Sequence, residues 1–442
     1  MSPPLASVAS DAALPRAVDV VVVGGGMAGI AAAYELARKG HSVAVIEKGV
    51  VSGEQSSRNW GWCRQQNRDV RELPLAMWGL RRWEELAAET GRDLGFRRTG
   101  LVYATDRPGE LADWTRWGES ARPFQMQTRM LTGAEAEALT PGSRGGWIGG
   151  VHSPTDGRAE PALAVPALAE AARALGVTLH QNCAVRGFHV EAGRLKGVVT
   201  EHGLVRAEAV LLAGGAWTGL MMRRHGLRFV QASVRSTSFA TVPAPAVTEG
   251  GLALPDVTLR RRLDGGYSVG MSGRGLMEVS PQGLRYAKPF WNTFKKRRAG
   301  LTVTVGRSFF DGPEGFARWS MDAETPFERV RTLDPPPEQR LIAAGLASLA
   351  AAYPALKGIG VAQSWGGQVD MTPDAIPVIS PVDPLPGLFV SAGFSGHGFG
   401  IGPAAGRLAA DLVAGDPPIV DPRPYRYSRM TDGTDLGAPG LM

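Results

Sequence analysis

The stretch that most constrains this 442-residue chain lies near its start. Asp19-Val20-Val21-Val22-Val23 is a continuous β-branched run, the pattern of a strand buried on both faces of a parallel sheet. Gly24-Gly25-Gly26-Met27-Ala28-Gly29 follows at once. Ile30 to Lys39 then reads as an alanine-rich helix stopped by Gly40, and His41 to Ile46 as a second strand ending in Glu47. G-x-G-x-x-G between a strand and a helix, with an acid 18 residues past the last glycine, is the pattern of a Rossmann-like dinucleotide-binding unit. Gly24 makes the tight turn, Gly26 lets backbone approach a pyrophosphate, and Gly29 allows close helix–strand packing. The helix start at Met27 and Ala28 offers N–H groups to phosphate. Glu47, with Lys48 beside it, is placed to meet an adenosine ribose. At this point the dinucleotide is FAD or NAD.

Composition limits what surrounds this unit. With 48 basic and 42 acidic residues the net charge is +6, mild for the length. It favours an anionic ligand or a membrane surface only weakly, and nucleic acid less. A hydrophobic fraction of 44% excludes bulk disorder. No run reaches the roughly 18 apolar residues of a membrane span, and the first residues, with Asp11 and two early prolines, do not read as a secretory signal. The two cysteines, Cys63 and Cys183, argue against a disulfide scaffold and fit a reducing cytoplasm. No metal site is expected.

Residues 56–67 read Ser-Ser-Arg-Asn-Trp-Gly-Trp-Cys-Arg-Gln-Gln-Asn. Ser56 and Ser57 supply hydroxyl donors, Arg58 a cation for phosphate, and Gly61 a place where the chain passes close to a flat ring. The spacing of Arg58, Asn59, Arg64 and Asn67 resembles the D-amino-acid oxidase (DAO) superfamily of flavoproteins, which includes glycine oxidase, sarcosine oxidase and D-amino-acid dehydrogenase. It looks most like the sarcosine-oxidase and dimethylglycine-dehydrogenase branches. Three further stretches resemble the family in order. Pro154-Thr155-Asp156-Gly157 with Glu160-Pro161 leads into a helix from about Ala162 to Leu175. A strand over 178–188 follows, in which Val185 backbone would contact adenine, and then Ala209 to Trp217, where Gly214, Gly215 and Trp217 close over the dinucleotide. Thr372-Pro373-Asp374 and the turn Gly393-Phe394-Ser395-Gly396-His397-Gly398-Phe399-Gly400 come last, before a helix over 402–413. In that turn Gly393, Gly396, Gly398, Phe399 and Gly400 would present backbone N–H groups to the flavin.

The resemblance implies an α/β fold: a discontinuous Rossmann-like FAD-binding domain (18–100, 150–225 and 365–415) and an α+β substrate domain with a mixed or antiparallel sheet (101–149 and 226–364). Residues 1–17 are expected to be a flexible leader and 416–442 a C-terminal tail packed on the surface. Tyr286 to Arg298 places aromatics beside four consecutive cations. That suits peripheral contact with an anionic membrane on the inner face and access to a lipid quinone; a helix packed by its aromatics, with a solvated basic end, is the alternative.

The chemistry implied is oxidation of a C–H beside an amine nitrogen, by hydride transfer to flavin N5 and hydrolysis of the imine, with the flavin carrying the hard step. The substrate class stays open among D-amino acids, N-alkyl amino acids and cyclic imino acids, and the electron acceptor between O2 and a quinone. Arg64 is the expected carboxylate clamp, because its planar fork matches a carboxylate. The branch's second clamp, a lysine, falls at Gly400, so Arg307 or Arg274 would have to substitute. His397 is placed near the flavin edge. The branch's covalent cysteine falls at about Gly367, so FAD is expected to be non-covalent. Trp60, Trp62 and Trp365 are candidates to wall the site. The alternatives kept are an FAD-binding subunit of a hetero-oligomeric sarcosine-oxidase-like complex without independent turnover and a flavin-dependent RNA-modifying enzyme.

Overall fold

The computed structural model describes residues 3–437, apart from the side chain of Arg307. Among the described residues two large sheets form. In the first, of eight strands, Ala17–Val23 lies at the centre, parallel to Val43–Ile46 on one side and to Gly203–Leu212 on the other. Thr178–His180 extends the sheet beyond Val43–Ile46, and Leu388–Ala392 beyond Gly203–Leu212. Helices Met27–Arg38, Pro161–Ala174 and Gly402–Ala414 pack together on one face. Val20, Val21 and Val22 are buried, as the uninterrupted β-branched run requires of a strand covered on both sides. The architecture is α/β with a Rossmann-like centre.

The second sheet, of ten strands, is mixed and mainly antiparallel. Its longest pairing joins Ala232–Thr241 to Val361–Met371. The domain boundary expected at residue 365 therefore falls inside a strand of this sheet, one that carries Asp370 near its far end. Gly149–Ser153 also belongs to this sheet. The single strand expected over 178–188 is two: Thr178–His180 in the parallel ladder and Val185–Glu191 in an antiparallel one. Asn182, at φ +50°, turns the chain between them.

The two ends of the chain are more firmly held than a flexible leader and a surface tail would be. Asp11 N donates to Leu179 O at 2.7 Å, and its carboxylate accepts Leu179 N at 2.8 Å, so the leader covers the edge of the parallel sheet. In the tail Tyr425, Tyr427 and Met430 are buried, and Tyr425 Oη donates to Arg71 O at 2.8 Å. Residues 1–2 and 438–442 lie outside the described residues.

The loop after the second strand is clamped between the two sheets. Trp62–Cys63 pairs with Gly157–Arg158. Arg260, fully buried on the second sheet, donates to Trp60 O (2.5 Å), Glu160 Oε1 (2.7 Å) and Ser268 Oγ (3.0 Å). Glu160 stands at the start of helix Pro161–Ala174. Removing one partner of a buried ion pair strands the other, at a cost of about 3–5 kcal/mol. Arg260→Met is expected to lose that much stability, read as a lowered urea midpoint with an unchanged slope, whereas Arg116→Met on the exposed surface should leave the midpoint in place.

Candidate active site

At the carboxyl ends of the central parallel strands the backbone leaves a cavity. Gly24 turns there with φ +112°, and a Cβ on it would lie 2.4 Å from Ala213 O. A Cβ on Gly29 would lie 2.1 Å from Gly24 O, so Gly29 serves helix–strand packing and does not line the space. Glu47 accepts Gly25 N and Gly49 N, each at 2.7 Å, which holds its carboxylate at the cavity wall. Ser56 Oγ accepts Met27 N at 2.9 Å, at the helix start. Of the residues expected around the dinucleotide, Gly24, Gly26, Met27, Ala28, Glu47, Lys48, Ser56, Asn59, Val185, Gly214, Gly215, Trp217, Gly396, Gly398 and Phe399 all line this one cavity.

Others are elsewhere. Arg58 is buried, but it donates to Gly53 O (3.1 Å) and Leu333 O and pairs with Asp334 (3.3 Å); its charge secures the loop and is not presented to a phosphate. Ser57 Oγ bonds within its own turn, to Glu54 O. A Cβ on Gly61 (φ +76°) would collide with Ala159 O at 2.4 Å and Arg260 Nε at 2.7 Å, so close packing against Arg260, not a ring, explains this glycine. Gly393 N donates to Asp370 Oδ2 at 2.7 Å behind the cavity. Lys48 lines the cavity with its charge spent on Glu54 (2.6 Å) and on the carbonyls of Val330 and Arg331.

Sequence reasoning missed Ser52, Glu54, Gln55, Asp370 and Ser391, which also line the cavity. Ser52 Oγ, Gln55 Oε1 and Ser391 Oγ are buried without a hydrogen-bond partner. Buried polar atoms are normally satisfied, so these three fit an extended polar ligand. A dinucleotide matches them and the glycine cradle together. Asp370 and Ser391 could have been suspected because each ends a strand immediately before a turn already singled out.

Gln55, Asn59, Gly396 and Phe399 also line a second, larger cleft of about 1040 Å³. There Trp60 meets Trp62 edge to face at 5.9 Å, Trp62 meets Tyr103 at 6.0 Å, and Tyr103 meets Trp114 at 5.6 Å. Arg64, Arg274, His397 and Gly400 line it too. Arg64 Nη1 donates to Gln66 O at 2.5 Å. Trp365 is instead core, its Nε1 bonded to Arg58 O at 2.9 Å. Gly400 packs on the backbone of the Trp62–Arg64 segment. The side chain of Arg307 lies outside the described residues.

The chain belongs to the FAD dependent oxidoreductase (DAO) family, whose model matches residues 19–412. It is an FAD-dependent enzyme of the amino-acid- and amine-oxidising kind. It is 28% identical to a glycine oxidase of Pseudomonas aeruginosa over 422 residues, 92% of this chain and 97% of that one. It is 25% identical to a sarcosine oxidase β subunit of an Arthrobacter species over 436 residues, 95% and 92% of the two chains. Its structure is similar to that of the L-amino acid deaminase from Proteus myxofaciens, solved with anthranilate (TM-score 0.91, 29% identity, 97% of each chain), and to L-proline dehydrogenase from P. horikoshii (TM-score 0.76, 25% identity, 94% and 99%).

His397 is not free beside the cavity. Its Nδ1 lies 2.9 Å from Glu72 Oε2, and burial, with Arg68 nearby, pushes its pKa down to about 4. The ring is neutral at pH 7. An unfolded chain binds that proton near pH 6.5, so this group's stabilisation is present above pH 6.5 and is lost as the pH falls toward 4. Burial raises Asp156 to about 6 and works oppositely in the same interval. The difference between wild type and His397→Asn reports the coupled His397–Glu72 pair: wild type should lose more stability than the variant between pH 7 and 4, measured by urea unfolding at each pH.

Proposed function

We propose that this enzyme oxidises the C–N bond of an α-amino acid, primary or N-substituted, and releases an imine for hydrolysis. The observation that carries this reading is the junction of the two spaces. A glycine-lined cavity with unpaired polar atoms suited to the dinucleotide meets, at Gln55, Asn59, Gly396 and Phe399, an aromatic-walled cleft that holds Arg64. Bound FAD supplies the two-electron oxidation. The chain's own residues bind, orient and dehydrate the amine: Arg64 takes the carboxylate, with Arg274 in the same cleft, and Trp60, Trp62, Tyr103 and Trp114 exclude water and pack an apolar side chain. The similarity to a deaminase solved with anthranilate, an aromatic carboxylate, supports this division of the cleft.

FAD is held without a covalent bond. The amide of Gln55 fills the space beside Gly367, where a Cβ would lie 2.5 Å from its Oε1, and burial raises the Cys63 thiol well above its ordinary pKa, leaving it inert. Acid precipitation should release the yellow colour to the supernatant. Anaerobically, amino acids should bleach the 450 nm band where amines lacking a carboxylate do not, and Arg64→Met should raise KM about tenfold or more with a smaller change in kcat. Bleaching by simple amines alone would refute the reading.

Electrons leave to a membrane quinone. Among the described residues no helix is long and apolar enough to cross a membrane, so the contact is peripheral. Helix Ala287–Arg297 lines the cleft with Phe290, Trp291 and Phe294, of which Trp291 is 55% exposed, with Leu284, Val305, Phe310 and Phe316 exposed nearby in sequence. Lys295 and Arg298 are exposed and do not line the cleft. Anionic vesicles should float the protein and zwitterionic ones should not, a soluble quinone should outpace air as acceptor, and Lys295→Glu with Arg298→Glu should abolish flotation while leaving dye-coupled turnover intact. Rapid stoichiometric peroxide formation would overturn the quinone assignment.

A further inference from the structure

The large cleft contains a buried cation that the chain itself leaves unsatisfied. Arg68 is 3% exposed and lines the cleft. Its Nη1 has no hydrogen-bond partner. Among the described residues its only side-chain hydrogen bond is a long one, Nε to Arg64 O at 3.5 Å. Glu72, four residues further on, lies 3.9 Å from Arg68 Nε, beyond the 2.7–2.9 Å usual for a charge-assisted bond. The Glu72 carboxylate leans instead to His397, at 2.9 Å. Trp117 Nε1 donates to Arg68 O at 2.7 Å and fixes the backbone.

Other buried arginines of the molecule are treated differently. Arg260 has four acceptors, and Arg82 is paired with Glu35, Glu85 and Glu89. Arg58, ten residues before Arg68, is bound to two carbonyls and Asp334. A buried unpaired donor is costly; Arg158 and Arg429 also keep one unpaired nitrogen, but neither lines the cleft and each has short hydrogen bonds from its other nitrogens. Arg68 instead shares a wall with Arg64, and the two charges repel: burial and Arg64 together bring the Arg68 pKa down to about 10. Two adjacent guanidinium groups on the floor of an open cleft, with the nearest carboxylate turned toward a histidine, are complementary to an incoming carboxylate.

We propose that Arg68 is a substrate-binding residue: with Arg64 it holds the substrate's carboxylate, and Glu72 and His397 are positioning residues that hold its guanidinium at the wall of the cleft. Arg68 thus takes the place of the second clamp left vacant by Gly400, and the cleft selects carboxylate-bearing substrates over simple amines. The inference rests on the amino-acid reading above.

Calorimetric titration of the flavin-loaded protein with benzoate, and with its uncharged isostere benzamide, tests it without turnover. Anaerobic bleaching of the 450 nm band of the same samples by amino acids, against amines lacking a carboxylate, tests the amino-acid reading separately, so failure of the two readings is distinguishable. Arg68→Met should weaken benzoate about tenfold or more and leave benzamide unchanged. Arg68→Lys, which keeps the charge and serves if the first variant does not fold, should weaken benzoate severalfold, again with benzamide unchanged. Glu72→Gln should lower the benzoate-to-benzamide ratio alone but add nothing in the Arg68→Lys background, a coupling that a purely structural role would not produce. Equal loss of both ligands, or an unchanged ratio in folded Arg68 variants, would overturn the proposal.

Discussion

The buried guanidinium of Arg260 is the interaction on which the rest of the site depends. The loop after Val43–Ile46 belongs to neither large sheet, and its one short strand, Trp62–Cys63, pairs only with Gly157–Arg158. Arg260 ties this loop to the second sheet through Trp60 O and to the start of helix Pro161–Ala174 through Glu160. A loop carrying Ser56, Asn59, Trp60, Trp62, Arg64 and Arg68 is thereby fixed to both bodies at once. Gly61 is the price of that arrangement, since only a residue without Cβ fits between Ala159 O and Arg260 Nε.

Buried arginines are costly unless paired, and Arg58, Arg82 and Arg260 are each paired with carbonyls or carboxylates of their own chain. Arg68 lines the cleft with only a long hydrogen bond to Arg64 O and a carboxylate at 3.9 Å. Folding gains nothing from leaving that charge so weakly paired, so its compensation has to come from a ligand. The buried hydroxyls of Ser52 and Ser391 and the amide of Gln55 pose the same question in the neighbouring cavity, and there an extended polar cofactor answers it.

How far the sequence disclosed this site depended on how local each feature was. The strand, glycine turn, helix and second strand near the start are set by contiguous residues, and Ala17–Val23, Met27–Arg38 and Val43–Ile46 lie where the pattern puts them. The sequence alone reads Arg58 as a cation for phosphate, because the partners that claim it, Leu333 and Asp334, lie some 275 residues away. Tyr103 and Trp114 gave no signal, since each is an ordinary aromatic until the second sheet folds them beside Trp62. Glu72 was invisible for the same reason: its partner His397 is 325 residues distant. The break after His180 lies at Gln181-Asn182, polar residues that favour a turn, and it was missed because the change from parallel to antiparallel partners depends on distant strands.

The glycine-rich turn near the C-terminus joins the two halves of the site mechanically. Gly396 and Phe399 line both the dinucleotide cavity and the large cleft. Between them, His397 reaches away to Glu72, and Glu72 in turn flanks Arg68. Gly400 closes the turn against the backbone of Trp62 to Arg64, and its carbonyl accepts Trp83 Nε1 at 2.9 Å. Any movement of this turn that accommodated a flat ring at Gly396 and Phe399 would act at the same time on the Glu72 carboxylate and on the segment carrying Arg64. The candidate seat of the cofactor and the proposed carboxylate clamp are therefore joined through a single run of five residues, Gly396 to Gly400.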